Sequence, residues 1–266
     1  MTNERSAPLV DRLVAGQAAE LVVADVEAVR LIVFNRPAAR NALSNAMKEA
    51  LIGTLGNAAD DDTVRCVVVT GAHGVFSAGA DIKELRAGVP PVRYNPAEAL
   101  RAFPKPVIAA VDGPCATGAL EVALSCTFIV ASAQARFADT HAKVGLIAGW
   151  GMSALLPRAI GRRRASQMMS TGDFIDAATA HQWGLVNEVV DGDVATHAVA
   201  IATRMGANPR DSVEAQIRAM VDGEGVSLTE ALEIEERMKE RWRAGRPALF
   251  ASDAALKPPS NGKEKP

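Results

Sequence analysis

Short runs of almost continuously apolar residues recur through the first half of the chain. Three of them lie at residues 65–70 (RCVVVT), 106–111 (PVIAAV) and 127–131, and such runs are typical of strands buried on both faces. Two β-rich runs at 21–24 and 28–34 flank a polar turn and predict a hairpin. Because helical segments separate the buried runs, the pattern predicts repeated β-α units and a largely parallel sheet.

Helix signals lie between these runs and dominate the second half of the chain. Ser44 is a good N-cap for a helix running to about residue 55, with Gly56 as its stop. After Gly145 the β signal nearly disappears, except for one short strand predicted at 185–190. Further helices are predicted at 152–160, 164–170 and 177–183, and almost continuously over 196–242. The pattern therefore predicts an α/β fold whose C-terminal region is helical.

This change of pattern also predicts how the chain is divided. We expect an α/β core over residues 1–195 and a helical region over 196–266. Residues 1–17 are expected to form a loose leader. The stretch after Gly245 is rich in Pro, Ser, Gly and Lys, which favours a disordered tail.

Composition narrows the class of protein without indicating its chemistry. The 266 residues are 48% hydrophobic and 23% charged, with a formal net charge of −2, so no nucleic-acid or anionic-membrane partner is expected. No apolar run approaches the roughly 20 residues of a membrane helix, and the polar start does not resemble a signal peptide. Three cysteines without metal-ligand spacing indicate reduced thiols. A cytoplasmic location is therefore expected.

Two segments stand out because small residues cluster where a buried strand leads into a helix. The first is 74–85 (GVFSAGADIKEL), in which Asp81 is a plausible N-cap, and the second is 111–123 (VDGPCATGALEVA). Small side chains let the backbone approach a ligand closely. N–H groups at a helix start suit an anion or a developing oxyanion. Each segment alone is a weak signal, because Gly-rich turns between a strand and a helix often serve only tight packing.

Taken together, the motifs resemble those of the enoyl-CoA hydratase/isomerase, or crotonase, superfamily. The resemblance covers about residues 20–191, and neither a dinucleotide-binding fingerprint nor a P-loop is present. Five motifs carry it, in the family's order: NRP…RNAL (35–43), FSAGADIKEL (76–85), PVIAAVDG (106–113), TGALEVAL (117–124) and TGDFIDAATAHQWGLVNEVV (171–190). The resemblance implies a crotonase-like ββα spiral core that binds acyl-CoA.

The resemblance also implies roles for particular residues. The amides of Ala78 and Gly118 would form an oxyanion hole for the thioester oxygen, and Glu121 matches one of two catalytic glutamates. Arg40 and Lys83 would contact the CoA phosphates. The rest of the expected acyl-CoA site comprises Gly79, Ala80, Asp81, Ile82, Gly149 and Trp150. Ala80 and Ile82 would lie near adenine and pantetheine.

One departure from the family pattern concerns the second glutamate, whose position is occupied by His141. Histidine can act as acid or base near neutral pH, or it can merely fill space. If His141 acts as a base, hydration should fall as the pH drops. Asp139 is a second candidate carboxylate. Gly149 matches a glycine whose amide holds the nucleophilic water, and Trp150 replaces a small residue, so it shortens the acyl pocket or packs beneath the loop.

These residues leave three functions open. The first is reversible addition of water to a 2-enoyl-CoA in fatty-acid metabolism, which uses two acid/base groups. The second is double-bond isomerisation by a single base, and the third is acyl-CoA binding with little turnover. Coenzyme A is part of the substrate, so neither a separate cofactor nor a metal is expected. The resemblance also implies a homotrimer or a dimer of trimers, with the C-terminal helices at the interface and closing the pocket.

Overall fold

A computed structural model describes residues 7–90, 92 and 95–245. Its strands, in chain order, are β1 (Leu21–Val26), β2 (Val29–Phe34), β3 (Cys66–Gly71), β4 (Val107–Val111), β5 (Pro114–Ala116), β6 (Phe128–Ser132), β7 (Arg136–Ala138), β8 (Ile175–Asp176) and β9 (Glu188–Val190). Its helices are α1 (Leu9–Val14), α2 (Asn45–Asp60), α3 (Ile82–Arg86), α4 (Pro96–Ala102), α5 (Gly118–Leu124), α6 (Met152–Ile160), α7 (Arg162–Thr171), α8 (Ala177–Trp183), α9 (Val194–Gly206), α10 (Arg210–Asp222) and α11 (Leu228–Ala244).

The main sheet has the strand order β1-β2-β3-β4-β6-β9. Strands β1 and β2 form the predicted antiparallel hairpin, and every later pair in this sheet is parallel. In register, Val68 of β3 pairs with Leu31 on one side and Ile108 on the other. The predicted largely parallel sheet is confirmed. A second sheet, of order β5-β7-β8, was not predicted because strands of two or three residues carry no usable periodicity.

Both faces of the main sheet are covered by apolar side chains. Val67 and Val69 of β3 face a core built with side chains of α2, α5 and α6. Cys66 and Val68 face the opposite core, which is closed by α1 and α9. Alternate residues of a strand point to opposite faces, so a strand covered on both sides must be apolar at every position. This explains the continuous apolar runs in the sequence.

Helix α2 begins as predicted but ends later. The Ser44 side chain accepts a hydrogen bond from the Met47 N–H at 3.2 Å, which satisfies one free donor of the first turn. The helix continues through Gly56 to Asp60. Leu55 and Ala58, on either side of that glycine, are buried in the core. This packing outweighs the cost of about 1 kcal/mol for one helical glycine.

Two expectations about chain organisation need correction. The expected leader contains α1, whose Val10 and Val14 are buried against the sheet; six residues are too few for helical periodicity to reveal them. The expected division between residues 195 and 196 falls inside α9. That helix buries Ala198 and Ala202 on the sheet, so the first compact unit extends to Asn208.

The second unit begins at Pro209, and its described part consists of α10 and α11. Ser227 and Glu230 form a reciprocal capping box at the start of α11. The expected disordered tail, beyond Gly245, lies outside the described residues. Within the described ranges, no helix combines the length and the apolar character needed to cross a bilayer.

Candidate active site

The two small-residue segments found in the sequence meet through a short parallel bridge. The Ser77 N–H donates to the Pro114 carbonyl, and the Ala116 N–H donates to the Ser77 carbonyl, each at 3.2 Å. Two loops that are far apart in the chain are therefore held edge to edge. This pairing sets the positions of Gly79 and Gly118, the glycines at the centre of the two segments.

The RNAL segment braces the other edge of the first loop. The Leu43 N–H donates to the Gly79 carbonyl at 2.8 Å, and the Leu43 carbonyl accepts the Asp81 N–H at 3.2 Å. In a parallel bridge of this kind, the residue between the two bonded ones directs its own N–H away from the partner. That residue is Ala80, whose N–H donates to no acceptor in the part of the chain that the structure describes.

The predicted role of the Ala78 amide is wrong. The Ala78 N–H donates to the Arg40 carbonyl at 3.0 Å, so it is unavailable to a ligand. Gly79 has a φ of +95°, which turns the chain between residues 78 and 80 and gives their amides different surroundings. A Cβ atom built on Gly79 would lie only 2.9 Å from the Gly118 nitrogen.

The Ala80 and Gly118 amides are neighbours. A Cβ atom built on Gly118 would lie 3.2 Å from the Ala80 nitrogen, which shows how closely the two loops approach. Gly118 is the first residue of α5, and no acceptor for its N–H is present among the described residues. Two free N–H groups therefore lie side by side, and one of them belongs to a residue that was expected to contact adenine.

Thr117 holds the turn that presents the Gly118 amide. It has φ 54° and ψ −119°, which is a strained conformation for a β-branched residue. Its N–H donates to the Ala138 carbonyl at 2.9 Å, and its hydroxyl donates to the Ala78 carbonyl at 3.2 Å. These two bonds connect the turn to β7 and to the loop that contains Ala78, and they hold Thr117 in its strained conformation.

Glu121 follows one turn later on α5 and is only 1% exposed. Its Oε1 accepts the backbone N–H groups of Trp150 at 2.7 Å and Met152 at 3.0 Å. Burial raises the pKa of Glu121, and the two backbone hydrogen bonds offset only part of that rise. The second carboxylate oxygen, Oε2, faces His141.

His141 lies between two carboxylates. Its Nε2 is 3.8 Å from Oε2 of Glu121, and its Nδ1 is 2.6 Å from Oδ1 of Asp139. The same Asp139 oxygen accepts the His141 backbone N–H at 3.1 Å. Burial lowers the pKa of His141, but the hydrogen bond and charge of Asp139, with the charge of Glu121, outweigh it, so the pKa is raised. The structure thus brings together Glu121, His141 and the alternative carboxylate Asp139.

Trp150 lies against Gly118, which carries one of the two amides. A Cβ atom built on Gly118 would be 2.8 Å from Cζ3 of the indole, so the ring packs on the glycine Cα. The Trp150 carbonyl accepts a hydrogen bond from Arg101 at 2.8 Å, which holds the loop. That this ring shortens an acyl pocket stays a prediction. Gly149 is exposed, and its predicted contact with water stays a prediction.

The residues expected around the CoA moiety divide into two groups. Arg40, Ile82 and Lys83 are exposed and accessible to a ligand. Asp81 is instead buried, caps α3 through the Lys83 and Glu84 N–H groups, and forms a 2.6 Å ion pair with Arg36. The hydrogen bond from Arg36 lowers the pKa of Asp81. The Asp81 side chain therefore stabilises the loop, and its expected role in binding substrate is not supported.

The comparisons with known proteins agree in family and fold. A family model described as enoyl-CoA hydratase/isomerase matches residues 25–246. The chain is 36% identical over 225 residues to a 2,3-dehydroadipyl-CoA hydratase of Escherichia coli (strain K12), covering 82% of this chain and 88% of the relative. It is 32% identical over 260 residues to a 1,2-epoxyphenylacetyl-CoA isomerase of the same organism, covering 92% and 99%.

Solved structures show the same relationship. The enoyl-CoA hydratase from Bacillus anthracis superposes with a TM-score of 0.80 at 31% identity, covering 89% of this chain and 93% of that one. An enoyl-CoA hydratase from Mycobacterium avium gives a TM-score of 0.72 at 39% identity, covering 85% and 99%. The expected crotonase-like fold is confirmed. The chain therefore belongs to the enoyl-CoA hydratase/isomerase family of the crotonase superfamily.

Proposed function

We propose that this protein adds water reversibly to 2-enoyl-CoA thioesters, giving 3-hydroxyacyl-CoA. The observation that carries the proposal is the 3.8 Å approach of Glu121 Oε2 and His141 Nε2. Hydration needs two acid/base groups, whereas isomerisation needs one. Here two titratable groups with raised pKa values lie next to each other, Glu121 buried and His141 half-buried.

The Ala80 and Gly118 amides form the oxyanion hole in this proposal. Both N–H groups are free of acceptors in the described ranges, and they lie side by side next to Glu121. When water adds to the β-carbon, negative charge develops on the thioester oxygen. Two fixed donors aimed at that oxygen stabilise the charge without having to reorient, and one such donor contributes about 3 kcal/mol.

Glu121 serves as the base, and the protonated His141 serves as the acid. The Glu121 carboxylate takes a proton from water, the water oxygen bonds to the β-carbon, and the π electrons move towards the thioester as an enolate. The α-carbon then takes the proton from Nε2 of His141. Transfer of the proton from Glu121 to His141, directly or through solvent, restores both groups.

The raised pKa of His141 supports this assignment. An imidazolium between Asp139 and Glu121 is stabilised by two opposite charges. With Nδ1–H bonded to Asp139, the second N–H points towards Glu121 and the space beside it. His141 acting as an acid reverses the pH dependence expected for a histidine base, because activity is then lost as the pH rises through the pKa of His141.

The decisive experiment compares two substrates on one protein. Purified protein is assayed with crotonyl-CoA for hydration and with a 3-enoyl-CoA for isomerisation. We expect hydration to be the faster reaction, and Glu121→Gln and His141→Ala each to lower it. The matched controls outside the site are Glu49→Gln, at an exposed residue, and His197→Ala, at a half-buried residue paired with Glu188.

The possible outcomes separate the three functions. Fast isomerisation that is unaffected by His141→Ala would replace hydration with a single-base isomerase; one E. coli relative is also named an isomerase, of 1,2-epoxyphenylacetyl-CoA. If neither thioester reacts but acyl-CoA binds, the protein is a binding protein on this fold. Since another relative is named for 2,3-dehydroadipyl-CoA, that thioester belongs in the same assay.

Two further proposals rest on the family resemblance. The exposed Arg40 and Lys83 bind the CoA phosphates, so Arg40→Ala and Lys83→Ala should raise KM with little change in kcat.

The protein assembles as a homotrimer or a dimer of trimers. Sedimentation equilibrium tests the assembly, and a monomer at micromolar concentration would overturn it.

A further inference from the structure

Lys48, on the first turn of α2, is a buried cation whose ammonium has neither an ion-pair nor a hydrogen-bond partner in the described part of the chain. The residue is 5% exposed. Among the described residues, no carboxylate lies within 4.0 Å of its ammonium, and no hydrogen-bond acceptor is bound to it. Lysine is seldom this buried unless it is paired, so the position requires an explanation.

Lys105 shows what a structural buried lysine does in the same chain. It is 2% exposed, and its ammonium donates to the Ala58 carbonyl at 2.6 Å and to the Asp61 carbonyl at 2.7 Å. Those bonds replace the water that burial removes. Lys48 has no equivalent bonds, although it is buried to a similar degree.

Two carboxylates, Glu84 and Asp81, act on the Lys48 ammonium through their charge, but both accept hydrogen bonds from other groups. Asp81 is held by Arg36 and by the start of α3. Glu84 accepts the Asn45 N–H at 2.8 Å through its Oε2. Burial lowers the pKa of Lys48 despite the opposing influence of both carboxylates. These two carboxylates therefore influence the ammonium from a distance, and among the described residues neither forms an ion pair with it.

The ammonium lies near the Trp150 indole, the ring that also contacts Gly118. Its Nζ is 5.8 Å from the centroid of the Trp150 ring, and the ring itself packs against Gly118. The indole therefore lies beside both Gly118, whose amide holds the thioester in the proposed function, and the Lys48 ammonium. An acyl chain bound by its thioester at the amides would run along the indole towards Lys48.

We propose that Lys48 binds a carboxylate at the far end of the acyl chain, so that the preferred substrates are enoyl-CoA thioesters of dicarboxylic acids. The proposal rests on the proposed function, because it takes the thioester to be held by Ala80 and Gly118. A carboxylate there completes a charge-assisted hydrogen bond in a site shielded from water. The methylenes of such a chain pack on the Trp150 ring.

The test uses two six-carbon substrates that differ only at the far end: 2-hexenoyl-CoA and 2,3-dehydroadipyl-CoA. The measured quantity is the ratio of their kcat/KM values. We expect the natural protein to favour the carboxylate-ended thioester by at least about tenfold, and Lys48→Met to reduce the ratio by about tenfold or more. Lys48→Arg should retain part of the preference. Lys239→Met, on an exposed residue of α11, is the matched control and should leave the ratio unchanged.

Binding measurements keep the result independent of turnover. Calorimetry with adipyl-CoA, hexanoyl-CoA and free CoA should show that Lys48→Met weakens the binding of adipyl-CoA and leaves the binding of the other two ligands unchanged. If all three ligands weaken alike, Lys48 contacts a CoA phosphate and the proposal is overturned. Should Lys48→Met fail to fold, Lys48→Gln, which keeps a polar head without the charge, gives the same comparison.

The remaining outcomes separate this proposal from the proposed function. Hydration of both thioesters with equal efficiency overturns the carboxylate site and leaves hydration intact. Absence of turnover, with adipyl-CoA binding that depends on Lys48, supports the site and overturns hydration. Failure to bind any acyl-CoA overturns both.

Discussion

The Asp139 carboxylate and the His141 imidazole form a 2.6 Å hydrogen bond at Nδ1, which leaves Nε2 directed towards Glu121. Asp139 is 2% exposed, and in the proposed function it is a positioning residue that acts through the histidine. It favours the tautomer with a proton on Nδ1 and stabilises the imidazolium. In the proposed function, this pair does the work of the second glutamate expected from the family pattern.

Asp139→Asn should lower hydration of crotonyl-CoA by about 10–100-fold, because an amide can favour the wrong tautomer and carries no charge. It should also move the basic limb of the pH profile to lower pH, since the charge that raises the pKa of His141 is lost. A purely structural role would reduce the rate without moving the limb. Asp60→Asn, at an exposed carboxylate, is the control.

Glu121→Gln should lower kcat by at least about 100-fold, the lower range for a positioned acid/base group. The amide retains an oxygen for the Trp150 and Met152 N–H groups, so the loop should stay in place. Calorimetric affinity for a saturated acyl-CoA should change far less than kcat. A variant with unaltered kcat would mean that Glu121 only anchors the loop.

The pH profile of activity should be bell-shaped, with its two limbs set by the raised pKa values of Glu121 and His141. Activity should rise with pH as Glu121 ionises, at a pH above its ordinary value of 4.5. It should fall as His141 loses its proton, at a pH above the ordinary 6.5. A profile of kcat/KM between pH 4 and 10 measures both limbs. Activity that only increases across neutral pH would assign His141 as the base.

Gly118→Ala should lower hydration by about 100-fold, on the scale of losing one oxyanion donor. The added methyl would lie 2.8 Å from the Trp150 ring and 3.2 Å from the Ala80 nitrogen, so either the indole or the loop must shift. A double-mutant cycle with Trp150→Ala measures which one moves. If the losses of hydration rate in the two single variants are strongly non-additive, the added methyl acts by displacing the indole. Additive losses indicate that it displaces the amides instead.

Arg36→Ala should destabilise the protein by about 2–3 kcal/mol, because it leaves the buried Asp81 carboxylate without its counter-charge. The expected loss is below that for a fully buried pair, since Arg36 is partly exposed. Urea unfolding of the two proteins measures it. Arg237→Ala removes an exposed pair with Glu233 and should change stability by less than about 1 kcal/mol. Equal effects of the two substitutions would show that the Arg36 pair is only a surface pair.

Local signals in the sequence determined the elements and the family. The continuous apolar runs predicted β3, β4 and β6, because a strand covered on both faces needs an apolar residue at every position. The N-caps at Ser44 and Asp81 were also predictable, since a cap acts within three residues. The motifs placed Glu121 and Gly118 correctly at the start of one buried helix.

The tertiary structure alone decided which groups face each other. Ala78 and Ala80 are equivalent in a motif, yet around the turn at Gly79 the Ala78 amide donates to the Arg40 carbonyl, while the Ala80 amide has no acceptor among the described residues. Arg36 and Asp81 are 45 residues apart and meet only after two loops pack together. Lys48 and Trp150 also lie far apart in the sequence and come together only in the folded chain. Periodicity and capping depend on residues within a few positions of one another, whereas the direction of an N–H group depends on a single φ angle and on segments far away in the chain.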